Sequence, residues 1–179
     1  VVGQLLEKCR EQARCVRQRL QPVTTWWAEG SEGRLTFNRK GRRADGSTYL
    51  MREEDRDLVG VDFNGDIDRQ APIVVFKNEQ GKPVAALAQF TGHPVTCYHP
   101  ERPVVFGEWP RVACDRVAKH LDPSGGAPVA FLQGCAADVN SKGMFRGGVD
   151  DSIRFGCMLA ESYIKAIESL KPSERDGFD

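Results

Sequence analysis

A chain of 179 residues with 25 basic and 25 acidic side chains carries no net charge, so no overall field draws it to nucleic acid or to an anionic membrane. The length suits one domain with a sizeable core and is short for two. No segment reaches the roughly 20 unbroken apolar residues of a membrane span, and no secretory leader pattern is present.

The chain starts with Val1 inside a helical pattern. We therefore expect residues 1–179 to be a single-domain piece of a longer polypeptide, from which a targeting segment would be missing. Val2, Leu5, Leu6, Cys9, Ala13, Val16 and Leu20 recur three or four apart and make one helix face, stopped by Gln21-Pro22. The Arg14 to Arg19 run reads as the wet face of that helix, with no interleaved aromatics for base stacking. Val23 to Ala28 is rich in β-formers and predicts a strand. Gly30 and Gly33 bracket an expected turn, after which Arg34 to Phe37 extends again. From Asn38 to Asn64 the chain is polar and broken by glycines, a long irregular stretch of the kind that covers a site.

Ile73 to Phe76 and Val84 to Phe90 predict a hairpin closed by a Gly81-containing loop. Tyr98 to Gly107 is a proline-broken loop. Trp109, Ala113, Val117 and Leu121 keep helical spacing, with Pro110 in the first turn where its missing N–H costs nothing. Pro128 to Leu132 predicts another short buried strand. Asp150 and Asp151 predict the cap of a last helix whose stripe is Ile153, Met158, Leu159, Ile164, Ile167 and Leu170. Alternating helices and strands give an α/β fold, a mixed sheet flanked by helices.

The six cysteines form no CxxC pair. Cys9, Cys114 and Cys157 fit helical patterns as small apolar fillers, and free thiols in a reducing compartment such as the cytoplasm are expected.

Chemistry is expected where two strands end in unusual residues. Phe90-Thr91-Gly92-His93-Pro94 puts an imidazole on a strand end, because proline holds the residue before it extended. Leu132-Gln133-Gly134-Cys135-Ala136-Ala137-Asp138-Val139-Asn140 follows the second strand with small residues that allow close backbone approach and one charge. If the strands are neighbours, His93 and this loop share a crevice at the carboxyl edge of the sheet.

The ordered set Asn38-Arg39, Asp45-Gly46, Gly65-Asp66-Ile67-Asp68, Phe90 to Val95 and Phe131 to Asn140 resembles the neutral/alkaline non-lysosomal ceramidase family and its bacterial relatives of unassigned substrate. The resemblance implies a central piece of a zinc-dependent hydrolase domain that cleaves an N-acyl amide or ester bond of a small or lipid-like acylated substrate. It implies that His93 is a zinc ligand and that Arg39 faces the site, while the remaining zinc ligands match nothing here. Asn140 stands where the family has its nucleophilic serine, and Ser141 is one position away. Without that serine, metal-activated water would attack the carbonyl. Arg39 and Asn140 would then steady the developing oxyanion, and Asp138 would orient a ligand. The alternative is a catalytically inactive ligand-binding or assembly domain of the same fold.

Other patterns are weaker. Asp62, Asn64, Asp66 and Asp68 alternate like a calcium loop, but Ile67 and Ile73 stand where it needs Gly and the closing Glu, so Asx turns are expected. His93, Cys97 and His99 fit no zinc-ligand spacing. Cys135 lacks a nucleophile-elbow frame and reads as a buried inert thiol. His120 complements a helix dipole.

Overall fold

The computed structural model describes residues 2–97, 103–144 and 146–173. His99 and much of the Tyr98 to Gly107 loop lie outside them. In chain order the elements are α1 (Val2–Gln18), β1 (Thr24–Ser31), β2 (Thr36–Asn38), β3 (Lys40–Arg42), β4 (Thr48–Leu50) and a 3-10 helix over Glu53–Leu58. Then come β5 (Gln70–Lys77), β6 (Pro83–Phe90), α2 (Glu108–Leu121), β7 (Val129–Gln133), β8 (Val139–Ser141), α3 (Val149–Ile167) and β9 (Lys171–Pro172).

The main sheet has five strands in the order β7-β6-β5-β1-β9. Its centre is the expected hairpin: β5 and β6 pair antiparallel, with Ile73 opposite Ala88 and Val75 opposite Ala86. β1 adds antiparallel to β5, and β7 adds parallel to β6 from Ala86↔Val129 to Phe90↔Gln133. The result is the mixed α/β sheet read from the sequence.

Strand alternation sends Ala28, Ile73, Val75, Ala86, Ala88 and Phe90 to one face, where α2 and α3 bury them. Trp109 of α2 anchors the contact, edge-on to Phe90 at 5.9 Å and to Phe131 at 5.6 Å between ring centroids. Each Val- or Leu-sized side chain fully buried here contributes about 1.5–3 kcal/mol. The opposite sheet face, with Trp27, Val74, Leu87 and Leu132, is half-buried to exposed.

Several expectations change. α1 forms as predicted, yet none of its described residues is buried, and Leu5, Leu6 and Val16 lie exposed. Gly30 is not in a turn; it continues β1, where a side chain would strike the backbone oxygen of Ser162 on α3. The stretch from Asn38 to Asn64 is not irregular, because β3 and β4 make a small hairpin and a 3-10 helix follows. Among the described residues β7 is an edge strand with Leu132 exposed, since β6 is its one partner in the sheet.

Asp150 and Asp151 do not cap α3: the N-cap is Gly148, and both acids lie in the first turn. The buried side of α3 runs through Ser152, Phe155, Gly156, Leu159, Ala160 and Tyr163, leaving Ile153 exposed. Small residues hold this face because α2 lies so close that a side chain at Gly156 would strike Val112. Cys9 and Cys135 are exposed rather than buried, while Cys114 is buried as expected.

Candidate functional site

Because β6 and β7 are parallel neighbours, their carboxyl ends reach the same sheet edge. The chain leaves β6 through Thr91-Gly92-His93 and leaves β7 through the loop from Gly134 to Asp138. The two exits lie close: Gly134 N donates to Phe90 O at 3.0 Å, and Gln133 Nε2 donates to Gly92 O at 3.1 Å. Gly134 is needed there, because a Cβ would strike Thr91 Oγ1. A Cβ on Gly92 would stand 2.6 Å from Thr36 Cγ2 of β2.

β8 then carries Asn140 to the histidine. The two residues form a parallel bridge, and His93 N donates to Val139 O at 2.9 Å. The side chains meet as well, with His93 Nδ1 3.1 Å from Asn140 Oδ1. Asn140 is 2% exposed, and its Nδ2 faces the sulfur of Met144. Sulfur only accepts, so the amide nitrogen belongs on that side and the oxygen on the histidine side. An amide oxygen accepts, so Nδ1 carries a proton, and in the neutral imidazole Nε2 is then the nitrogen with the lone pair.

Arg39 is tied to the same loop. Its backbone N–H donates to Asp138 O at 2.6 Å, and its Nε and Nη2 donate to Ala137 O at 3.1 and 2.8 Å. That grip fixes the guanidinium and leaves the Nη1 donors outside it. Asp138 Oδ2 accepts from Asn38 Nδ2 at 3.0 Å, and Asn38 also donates to Asp66 O at 3.1 Å. Asp138 thus orients the Asn38-Arg39 strand end, whereas the group on His93 is Asn140. A polar cavity of about 440 Å³ opens beside this pair, lined in part by Asn38, Lys40, Arg42, Asp62, Asp66 and Asp138.

Residues that the sequence reading passed over hold the segment after His93. The Glu108 carboxylate accepts from the amides of Thr96 at 2.9 Å and Cys97 at 3.0 Å. Glu108 does so from a left-handed backbone, φ 52°, a strained conformation for a non-glycine residue that charge-assisted hydrogen bonds offset. Its one signal in the sequence is an acid at the first position of a helix. Thr96 Oγ1 donates to Ser141 Oγ at 2.8 Å, both residues 0% exposed. Ser141 is therefore a buried structural hydroxyl and not a displaced nucleophile. Asn140, equally enclosed, places its side-chain oxygen on His93 and its nitrogen on the sulfur of Met144.

A histidine with Nδ1 hydrogen-bonded and Nε2 open is the usual form of a metal ligand. Zinc nevertheless needs three or four protein ligands, and no group of three His, Cys, Asp or Glu side chains converges among the described residues. These residues therefore do not by themselves make a zinc site. No described helix is long and apolar enough to cross a membrane.

No protein-family description matches the sequence, and no curated protein matches it. Among solved structures, the chain superposes on the neutral ceramidase from Pseudomonas aeruginosa with a TM-score of 0.61 at 17% identity, over 85% of this chain and 24% of that one. It superposes on a ceramidase complexed with C2 with a TM-score of 0.62, also at 17% identity, over 85% of this chain and 23% of that one. It thus spans about a quarter of the length of these enzymes. At this identity the shared property is the architecture: the chain has a ceramidase-like fold.

Proposed function

We propose that this chain is part of a hydrolase that cleaves an N-acyl amide or ester bond of a small or lipid-like acylated substrate. The observation that carries the reading is the His93–Asn140 pair on the carboxyl edge of a ceramidase-like sheet, which fixes one imidazole through Nδ1 and leaves Nε2 without a hydrogen-bond partner among the described residues. In this reading Nε2 of His93 is the working atom, as one ligand of a zinc ion whose other ligands come from outside residues 1–179. Arg39, clamped by Ala137 O, directs its remaining N–H donors at the substrate carbonyl or a substrate carboxylate. Asp138 keeps Asn38 and Arg39 in place, and Asn140 keeps the imidazole tautomer.

A second reading has its own support. Neither Asn140 nor the enclosed Ser141 offers a nucleophile, which suits a ligand-binding or assembly domain of the same fold. Hydrolysis of N-acylated amines and of the matching esters by the full-length polypeptide, with and without chelator, tests both. The hydrolase reading expects turnover that falls with chelation and in His93→Ala. A metal-loaded protein without turnover on either substrate class favours the binding domain, and turnover indifferent to chelator removes zinc from the proposal.

A further inference from the structure

Away from His93, a cleft of about 310 Å³ opens between the 3-10 helix, the turn after β8 and the start of α3. Arg34, Arg56, Lys142, Arg146 and Arg154 line it against a single carboxylate, Asp151. Neighbouring acids occupy part of this charge. Arg34 pairs with buried Glu32 at 2.6 Å, Arg154 with Asp151 at 2.7 Å, and Arg146 with Asp57 at 3.0 Å. The last pair is weak, because the Asp57 side chain is 82% exposed.

Arg56 makes no direct ion pair among the described residues, although the charges of Asp57 and Asp151 act on it from a distance. Its guanidinium donates from Nη1 to Met144 O and from Nη2 to Lys142 O at 3.2 Å. Carbonyl oxygens fix its plane without neutralising its charge. Burial, and then repulsion from Arg146, hold Arg56 below its ordinary pKa. Lys142 is exposed beside it. One side of α3 completes the cleft through Asp151, Arg154, Phe155 and Met158.

We infer that this cleft is a binding site for a phosphate-like oxyanion, held by Arg56 and Lys142 with Arg146 released from Asp57. A tetrahedral dianion suits donors arriving from several directions, and a fixed guanidinium binds it with little further ordering. The same chemistry serves inorganic phosphate and the phosphomonoester headgroup of an acidic lipid. The inference does not depend on the hydrolase reading, since none of the residues assigned there lines the cleft.

The test follows backbone amide resonances of Gly143, Gly147 and Val149 while inorganic phosphate replaces chloride at constant ionic strength. Saturable shifts are expected, with affinity weakened about tenfold or more in Arg56→Gln and in Lys142→Gln, the loss of one charge-assisted hydrogen bond. Arg56→Gln also removes an anchor on two carbonyls, so the exposed Lys142→Gln variant tests binding without that liability. Phosphatidylcholine vesicles with and without phosphatidic acid then identify the source. Capture that needs phosphatidic acid and Lys142 assigns a lipid headgroup; response to inorganic phosphate alone assigns a soluble ligand. Shifts that do not saturate, or that persist unchanged in both variants, overturn the inference.

Discussion

The imidazole of His93 lies 3.1 Å through Nδ1 from the side-chain oxygen of Asn140, 47 residues further along the chain. Asn140 is closed off from solvent, so this contact is a fixed part of the molecule rather than one of several options for an exposed amide. Replacing Asn140 by Leu leaves the Nδ1–H without its acceptor, an omission that costs about 1–3 kcal/mol. Asn140→Asp keeps an acceptor at the same place. Ring nitrogen NMR shifts are expected to report the Nδ1–H form in the native protein and in Asn140→Asp, and a mixture of tautomers in Asn140→Leu. One tautomer surviving in Asn140→Leu would remove Asn140 from its positioning role.

The crossing of the two strand exits makes a separate prediction. A methyl group at position 134 meets the hydroxyl of Thr91, which donates at 2.9 Å to Asp68. Gly134→Ala is therefore expected to destabilise the fold by about 1–3 kcal/mol, the usual cost of overpacking. Thr91→Ala in the same chain removes the hydroxyl that a methyl group would strike and loses two hydrogen bonds, to Asp68 and from Gln89, so the double variant should be more stable than the sum of the single losses. Additive losses in urea denaturation would show that the two exits do not touch.

How far the sequence could be read depended on the range of the interaction. The β5–β6 hairpin and α2 were legible because two short apolar runs, Gly81 between them and the spacing from Trp109 to Leu121 are local signals. α3 was legible as a helix but not in its orientation. Its inner face is built from Ser152, Gly156 and Ala160 as well as Phe155 and Tyr163, and hydrophobicity ranks Ile153 above such small residues. What selects them is the closeness of α2, a tertiary fact. His93 lies three residues past the end of β6, in an isolated bridge to Asn140, rather than on the strand itself, and the loop from Gly134 announced a close approach. The partner of each side chain was not announced, because which acceptor reaches Nδ1 depends on where β8 lies against β2 and His93. The contacts of Asp138 with Asn38 and of Asn140 with His93 are accordingly tertiary facts that no local pattern carries.

The thiols test the placement of the helices and of the Gly134 to Asn140 loop together. Cys114 is enclosed between α2 and its neighbours, and burial pushes its thiol up to about 11. Cys9 and Cys135 are exposed. A thiolate is the reactive species, so an aromatic disulfide reagent at neutral pH should label Cys9 and Cys135 first and Cys114 only as fast as the protein unfolds. Mass spectrometry of partly labelled protein reads the order. Early labelling of Cys114 would contradict the packing of α2 against the sheet, and a protected Cys135 would contradict the open course of its loop.

Acid stability depends on the end of α2. Asp122 closes that helix and accepts from Ser124 Oγ at 2.6 Å, from Ser124 N at 3.0 Å and from Gly126 N at 3.2 Å, with Lys82 Nζ 3.1 Å away. The Ser124 hydroxyl, then its amide, then Lys82 bring the carboxyl from an ordinary 3.8 to about 2. A carboxylate whose pKa is lower in the folded state stabilises the fold above its unfolded value and loses that contribution as protons bind. The stabilisation is therefore whole above pH 3.8 and disappears as the pH falls toward about 2. Asp122→Asn removes the titration while keeping a hydrogen-bonding oxygen. The native protein should exceed the variant in urea midpoint by a constant amount above pH 3.8, with the difference shrinking toward about pH 2. A difference that does not change across that window would mean that the Ser124 and Lys82 contacts do not hold Asp122 in its charged form.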